Sequence, residues 1–488
     1  MQRFCFLLLW PLILFSQNVV FDDFFENHTM RVDYYHTGAA DEDIITIDQI
    51  YKQGIWAGTT TQLIDPFDLG IYCLKVYDRV SSQLIYSRGF ATYFSEYQTT
   101  EPAKKGIRKT YHETVLFPYP KKPVLMVLEK RNRNNILQPF FEWEIDPADY
   151  HINDEAPDRG DRVINVLDHG HPHKKVDLVI LGDGYTNAEE KKFENDLKKY
   201  TDVLFTIEPF QSNKTRFNVR GIFSPSMESG TDEPTKGIYK NTVLNTTFNS
   251  LDSPRYLLTE DNKTMRNIAA QVPYDLAFIM VNIERYGGGG IYNTLATFTA
   301  SEVPWNEYVF VHEFGHFFAG LADEYYTSSV AYDEFYPRGV EPLEANITSL
   351  PDPENVKWKQ WLTPGLAIPT DWGKAEFDSL NKAVEFLRGE SNRRRQEWLD
   401  KGANPAKLDS LSKVFTDSIA ATSRRINAFI SDHPLRGKIG VFEGAGYSAE
   451  GLYRPTVNSI MHKFDEKDWS FYKVSEAFLQ RMIDYYCE

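Results

Sequence analysis

Cysteine is scarce in this chain, with three in 488 residues. Cys5 falls in an apolar N-terminal stretch, which leaves Cys73 and Cys487 to form at most one disulfide. Pairing is possible in an oxidising compartment but is not the default expectation; Cys73 is expected to be a buried strand residue. Long apolar runs are lacking too. Phe4 to Phe15 is broken by Pro11, too short to span a bilayer, and preceded by Arg3, so it reads as a signal peptide over residues 1–17. An uncleaved anchor is the alternative. No later stretch is apolar enough to cross a membrane, and no cysteine directly follows the apolar stretch, which argues against a lipid-modified form. The expected location is secreted, periplasmic or at the cell surface. Positive charge is in deficit: 53 Lys and Arg against 69 Asp and Glu give a net charge of −16. That balance argues against nucleic acid or an anionic membrane as partner. Five N-x-[ST] sequons, at Asn27, Asn213, Asn245, Asn262 and Asn346, carry weight only in a host that glycosylates them.

Apolar and aromatic residues are plentiful, at 42% and 14%. That is enough for two or three cores, so more than one domain is expected.

The chemistry concentrates in Val311-His312-Glu313-Phe314-Gly315-His316. Histidines four apart lie on one face of a helix, about 6 Å apart along its axis, where both imidazoles can hold one Zn²⁺. A glutamate after the first histidine can act as general base on a water that the metal activates. A buried helix with merely packed histidines is the bland alternative. The flanks Tyr308–Val311 and Phe317–Ala319 make this helix apolar on nearly all sides, and two histidines and a glutamate there need a partner or a metal.

A catalytic zinc needs a third ligand. Asp323 lies eleven residues after His312, about 16 Å along a continuous helix, so the helix must end and the chain turn back. Gly320 suits a left-handed C-cap. Asp323 is the preferred third ligand and Glu324 the alternative. Near the C-terminus, Asn458-Ser459-Ile460-Met461-His462 offers a methionine turn of the kind that floors the metal site in metzincins; Met461 could equally be an ordinary core methionine.

Together these residues resemble the IgA-peptidase family of zinc metallopeptidases, placed among the metzincins. The resemblance includes Val176–Thr186, Asn346-Ile347-Thr348 with Lys357-Trp358-Lys359, and Gly446-Tyr447 with Gly451–Pro455. It covers roughly residues 160–488 apart from one segment, with the preceding residues similar to the family's N-terminal domain. It implies that His312, His316 and Asp323 hold zinc, that Glu313 is the general base and that Met461 forms the Met-turn. The substrate implied is a protein or peptide. Two departures stand out. The glycine and third ligand follow His312 by eight and eleven residues, one more than in the commoner metzincin pattern. Lys463 stands where some metzincins place a tyrosine, which leaves Tyr447 or Tyr453 as candidates to stabilise the oxyanion, or simply as wall residues.

The expected fold is multidomain α+β. Residues 18–150 read as an N-terminal β-sandwich, from seven short strand-like runs: Met30–Tyr35, Ile44–Ile50, Ile71–Tyr77, Gln83–Ser87, Thr114–Phe117, Val124–Glu129 and Phe140–Ile145. A packing role is expected for it, with substrate or glycan binding as the alternative. A polar stretch, Asp146 to Asp161, reads as a linker, and His169-Gly-His171-Pro-His173 as a solvated loop. Residues 160–488 are expected to form a metzincin-like α/β domain, with strands at Val176–Leu181, Phe217–Phe223, Asp275–Ile283 and Thr294–Thr299 and a closing helix at Lys473–Tyr486. Gly287–Gly290 reads as a flexible rim of the cleft or as a loose hairpin, beside an edge strand that could pair with extended substrate. Residues 371–433, apolar at helical spacing, read as a helical insertion beside the cleft.

The reading is a secreted zinc metalloendopeptidase. Its rivals are a non-catalytic surface binding protein on a peptidase scaffold, and another zinc hydrolase such as a peptidoglycan amidase.

Overall fold

The structure, a computed structural model, describes residues 19–154, 159–326, 335–401, 405–463, 465 and 469–488. The expected signal peptide lies outside the described residues. The fold is mixed α/β with several sheets and an N-terminal domain.

The N-terminal part begins with a short helix, α1 (Phe21–Phe24), and the strands β1 (Phe25–Ala39), β2 (Glu42–Gln53), β3 (Tyr72–Asp78) and β4 (Leu84–Phe90). Two short helices, α2 (Tyr93–Gln98) and α3 (Glu101–Lys104), precede β5 (Lys109–Pro120), β6 (Val124–Arg131) and β7 (Leu137–Ile145). The strands form two antiparallel sheets, ordered β2-β1-β5 and β4-β3-β6-β7. Met30, Val32 and Phe117 of the first share one core with Leu74, Val76 and Met126 of the second. The two-residue alternation that marks a strand places them on the inner face.

The outer face of β1 is not solvated. Arg31 and Asp33 are fully buried and paired at 2.5 Å, and Arg31 donates to Asn267 Oδ1 at 2.7 Å. Asn262 donates to Thr114 Oγ1, and Lys263 pairs with Asp48. These last contacts lie on α5 (Asn262–Ala269), so a helix of the following part covers a face that a free-standing sandwich would leave in water. On the other sheet, the buried Arg88 of β4 donates to Tyr486 Oη at 2.9 Å.

The second part is built on a six-stranded sheet, ordered β12-β13-β11-β9-β10-β8. Its strands are β8 (Arg162–Leu167), β9 (Val176–Asp183), β10 (Phe217–Phe223), β11 (Leu276–Val281), β12 (Gly288–Ile291) and β13 (Leu295–Thr299). The middle four are parallel, and the edge strands β8 and β12 run antiparallel to them. Buried on both faces, β9 and β11 read as continuous apolar runs, as parallel strands do. Helix α4 (Glu190–Leu204) follows β9, and α6 (Pro304–Ala319) follows β13.

Phe310, Phe314, Phe317 and Phe318 of α6 are buried against Phe278, Phe298, Phe210 and Phe217. Each contributes about 1.5–3 kcal/mol by leaving water, which anchors the helix on most of its circumference. The expected insertion is a pair of helices, α7 (Lys374–Asp400) and α8 (Pro405–Ser431), seated on the core through Phe377, Leu380, Val384, Ile426 and Ile430. A hairpin, β14 (Phe442–Ala445) and β15 (Ser448–Arg454), and the last helix, α9 (Tyr472–Cys487), complete the chain. Cys73 is buried in β3, Cys487 ends α9, and both are free thiols.

Candidate metal centre

Helix α6 starts with Pro304 at its first turn and ends at Gly320, whose φ of 57° is the left-handed C-cap expected of it. The chain then reverses, and Asp323 comes back beside the two histidines. Nε2 of His312 lies 3.1 Å from Nε2 of His316. Asp323 Oδ1 lies 3.1 Å from the first and 3.2 Å from the second. Donors around an ion with bonds of ~2.0 Å in a tetrahedron stand about 3.3 Å apart, so this triangle fits a small tetrahedral metal ion.

The imidazoles are oriented from behind. Nδ1 of His312 donates to the Ile460 carbonyl at 2.9 Å, and Nδ1 of His316 to the Leu321 carbonyl at 2.5 Å. Each ring therefore turns its Nε2 lone pair towards the shared point, the arrangement that fixes the tautomer of a metal ligand. Burial disfavours the Asp323 carboxylate, but His316 and His312 outweigh it and hold the group well below the usual range.

Asp323 and Glu324 divide cleanly. Glu324 is fully buried and points elsewhere, accepting from Asn346 Nδ2 at 3.0 Å and from Ser459 Oγ at 2.7 Å. Burial pushes its pKa up to about 7, against the pull of those two hydrogen bonds. Its own N–H donates to the Met461 carbonyl. Glu324 thus ties the loop that carries Asp323 to the turn that carries Met461. Asn346 adds a two-way clamp, accepting from Ala322 N–H and donating to Ala322 O, both at 2.8 Å. Met461 packs against Gly315, where a Cβ would stand 2.9 Å from its sulfur.

Glu313 is half-buried on the same helix face. Burial raises its pKa, with His312 and His316 pulling the other way. It lines a cleft of about 1670 Å³ together with His312, His316 and Asp323. Walls come from both parts of the chain: Asp43, Gln98, Lys130 and Phe140 from the N-terminal part, and Phe377, Asn381 and Arg388 from α7.

The two tyrosines left open by the sequence differ in place. Tyr453 pairs with Thr348 through the backbone. Tyr447 lies at the tip of the β14–β15 hairpin, with Gly446 at φ 52° and itself at φ 62°. Left-handed backbone is costly for a bulky residue and persists where surroundings enforce it. Here the Tyr447 N–H donates to the Tyr325 carbonyl and its hydroxyl donates to Asp323 Oδ2. Tyr447→Phe should keep the fold and weaken metal affinity about 10- to 100-fold, as loss of a ligand's supporting hydrogen bond does. Competition with a chromogenic chelator would measure it, and unchanged affinity would remove Tyr447 from the site.

The glycine run forms one arm of a hairpin with β13, and Gly288 and Gly290 line the cleft. Gly288–Ile291 is the edge strand β12, pressed against α6. At Gly288 its outer edge is already paired, since Leu257 N–H donates to the Gly288 carbonyl at 3.3 Å. A second group, Asp33, Asp48 and His112, also brings its ligand atoms together. Arg31 and Lys263 already neutralise those carboxylates, so it is an ion-pair network between the two parts of the chain. In the histidine-rich loop, His169 and His173 hydrogen-bond to the carbonyls of Phe217 and Gly58.

A family model described as IgA Peptidase M64 matches residues 164–483, and one described as Peptidase M64 N-terminus matches residues 20–142. No curated protein matches the chain.

Proposed function

The chain belongs to the IgA peptidase M64 family, and from that premise we propose that it is a zinc-dependent endopeptidase of extracellular proteins with Glu313 as its general base. The observation that carries this reading is the convergence of His312, His316 and Asp323, with donor atoms 3.1–3.2 Å apart, beside a half-buried glutamate in an open cleft.

His312, His316 and Asp323 would hold the ion. Bound zinc supplies Lewis acidity, polarising the scissile carbonyl and making an attacking water acidic near neutral pH. Glu313 takes a proton from that water as its oxygen bonds to the carbonyl carbon. It returns the proton to the amine nitrogen as the C–N bond breaks. Burial, which lifts the Glu313 pKa, suits a group that must both accept and donate. Tyr447 and the carbonyls of Ile460 and Leu321 keep the ligand atoms aimed through the cycle. The apolar stretch from Phe4 to Phe15 supports export, and with it an extracellular substrate.

Chelator treatment of the purified protein should lower cleavage of unfolded casein at least about 100-fold, and stoichiometric Zn²⁺ should restore it. Mass spectrometry of the products would show internal peptide bonds cut. Cleavage that survives chelation, or release of stem peptides from muropeptides with casein left intact, would overturn the reading.

A further inference from the structure

The residue that bears most on substrate choice is Arg255, seventy positions before Tyr325 in sequence and beside it in space. Its backbone is pinned to the edge of β12. Tyr256 bridges Gly288, and a Cβ on Gly287 would stand 3.1 Å from the Arg255 carbonyl. From that edge the side chain enters the cleft. Its Nη2 donates to Tyr325 Oη at 3.4 Å, and the guanidinium carbon lies 5.9 Å from the centre of the Tyr325 ring. The ring of Tyr325 is in turn nearly parallel to that of His312, at 17° and 6.5 Å between centres. One aromatic ring therefore links the guanidinium to a metal-holding imidazole, and the charge on Arg255 acts on Glu313 and Asp323.

Arg255 is nevertheless exposed to the cleft. A guanidinium offers N–H donors in a planar fork that matches a carboxylate, and here the phenols of Tyr325 and Tyr286 hold it at the cleft wall. Half-exposed Tyr286 and Trp305 line the same cleft and give it apolar surface beside the charge. The net charge of −16 on its own would favour cationic peptides, so a cation fixed next to the reacting groups reverses the local preference.

We propose that Arg255 is a specificity-determining residue that binds a substrate carboxylate close to the scissile bond. This rests on the peptidase reading for its position relative to the cut, but not for the binding itself. The carboxylate comes from an Asp or Glu side chain or from a free peptide C-terminus.

The test has two arms. In the first, the zinc-loaded enzyme digests an octapeptide library, and then matched peptides that differ only as Glu against Gln, or as C-terminal acid against amide. Acidic residues, or free C-termini, should be enriched within about two positions of the cut, as one arginine side chain reaches. Arg255→Gln should erase about tenfold of that preference, read within each protein as the ratio of kcat/KM on the acidic peptide to that on its neutral partner, the size expected of one charge-assisted pair. Arg255→Lys should keep part of it, and which pair responds identifies the source of the carboxylate. In the second arm, binding of the same peptides to the Glu313→Gln protein is measured by fluorescence anisotropy, with and without Arg255→Gln. A library without acidic preference overturns the proposal. So does an equal fall in kcat on acidic and neutral peptides with unchanged binding, which would assign Arg255 to the transition state. If no peptide is cut yet acidic peptides bind through Arg255, the carboxylate site stands and the peptidase reading falls.

Discussion

Glu313→Gln is expected to lower peptide-bond hydrolysis about 10²- to 10⁴-fold, the range associated with losing a general acid–base group, while the protein keeps its metal. The substitution is nearly isosteric and leaves all three donor atoms in place. An amide can neither accept the water's proton nor hand one to the leaving amine, so both proton transfers are lost at once. The carboxyl sits on the helix that presents His312 and His316, and its surroundings are tight: a Cβ on Gly290 would stand 3.2 Å from Glu313 Oε2. That packing predicts little rearrangement in the variant. Turnover on a fluorogenic peptide and zinc content by mass spectrometry decide the matter together. Full activity with metal retained would strip Glu313 of the role, whereas loss of activity with loss of metal would mean that the carboxyl supports the ion instead.

Much of the centre was legible because it is local. The four-residue spacing of His312 and His316 depends only on helix geometry, and Gly320 announced where the helix ends. The three residues from Gly320 to Asp323 are too few for much freedom. The choice between Asp323 and Glu324 was legible only as a preference, because it is made by Asn346 and Ser459, which reach Glu324 from 22 and 135 positions away. Asn346 and Tyr447 stood in stretches that looked distinctive, but their work became visible only as hydrogen bonds to Ala322 and Asp323. Arg255 gave no signal at all, since nothing in a Ser-Pro-Arg-Tyr loop indicates which strand edge it will lie along. The same holds for the N-terminal sheets. Each of the seven strand-like runs falls on a strand, five of them inside a longer one and those at Ile71–Tyr77 and Gln83–Ser87 starting one residue early. Their alternation is hidden where polar residues such as Arg31 and Asp33 are buried by contacts with α5. Strand β8 was missed because its exposed edge residues show no apolar alternation.

The glycines of β12 carry the second large expectation. Gly290→Ala should lower kcat about 100-fold, the cost of roughly an ångström of misplacement at the reacting groups, and should destabilise the protein by about 1–3 kcal/mol through overpacking. The added carbon would lie 2.7 Å from the Glu313 carbonyl oxygen and 3.1 Å from His316 Cβ. Neither atom can yield without moving the helix backbone that presents Glu313 and His316. Nothing else about the site demands glycine, since its φ is not in the left-handed region. Side chains alternate along a strand, and that supplies the control. A Cβ at Gly289 points the other way, 2.5 Å from the ring of Tyr256 and 3.0 Å from Leu258. These are side chains, not the backbone of α6, and Tyr256 is half-buried. Gly289→Ala should therefore cost stability with kcat changed by only about two- to threefold, because an adjusting side chain leaves the reacting groups in place. Gly288→Ala, whose Cβ would stand 3.1 Å from Glu313 Cγ, belongs with Gly290. Urea unfolding and steady-state kinetics on the three variants read both effects. A period-two pattern in kcat means that the run is a spacer that lets a strand lie against α6. Equal, small effects at all three positions would mean that the run serves as a flexible rim after all.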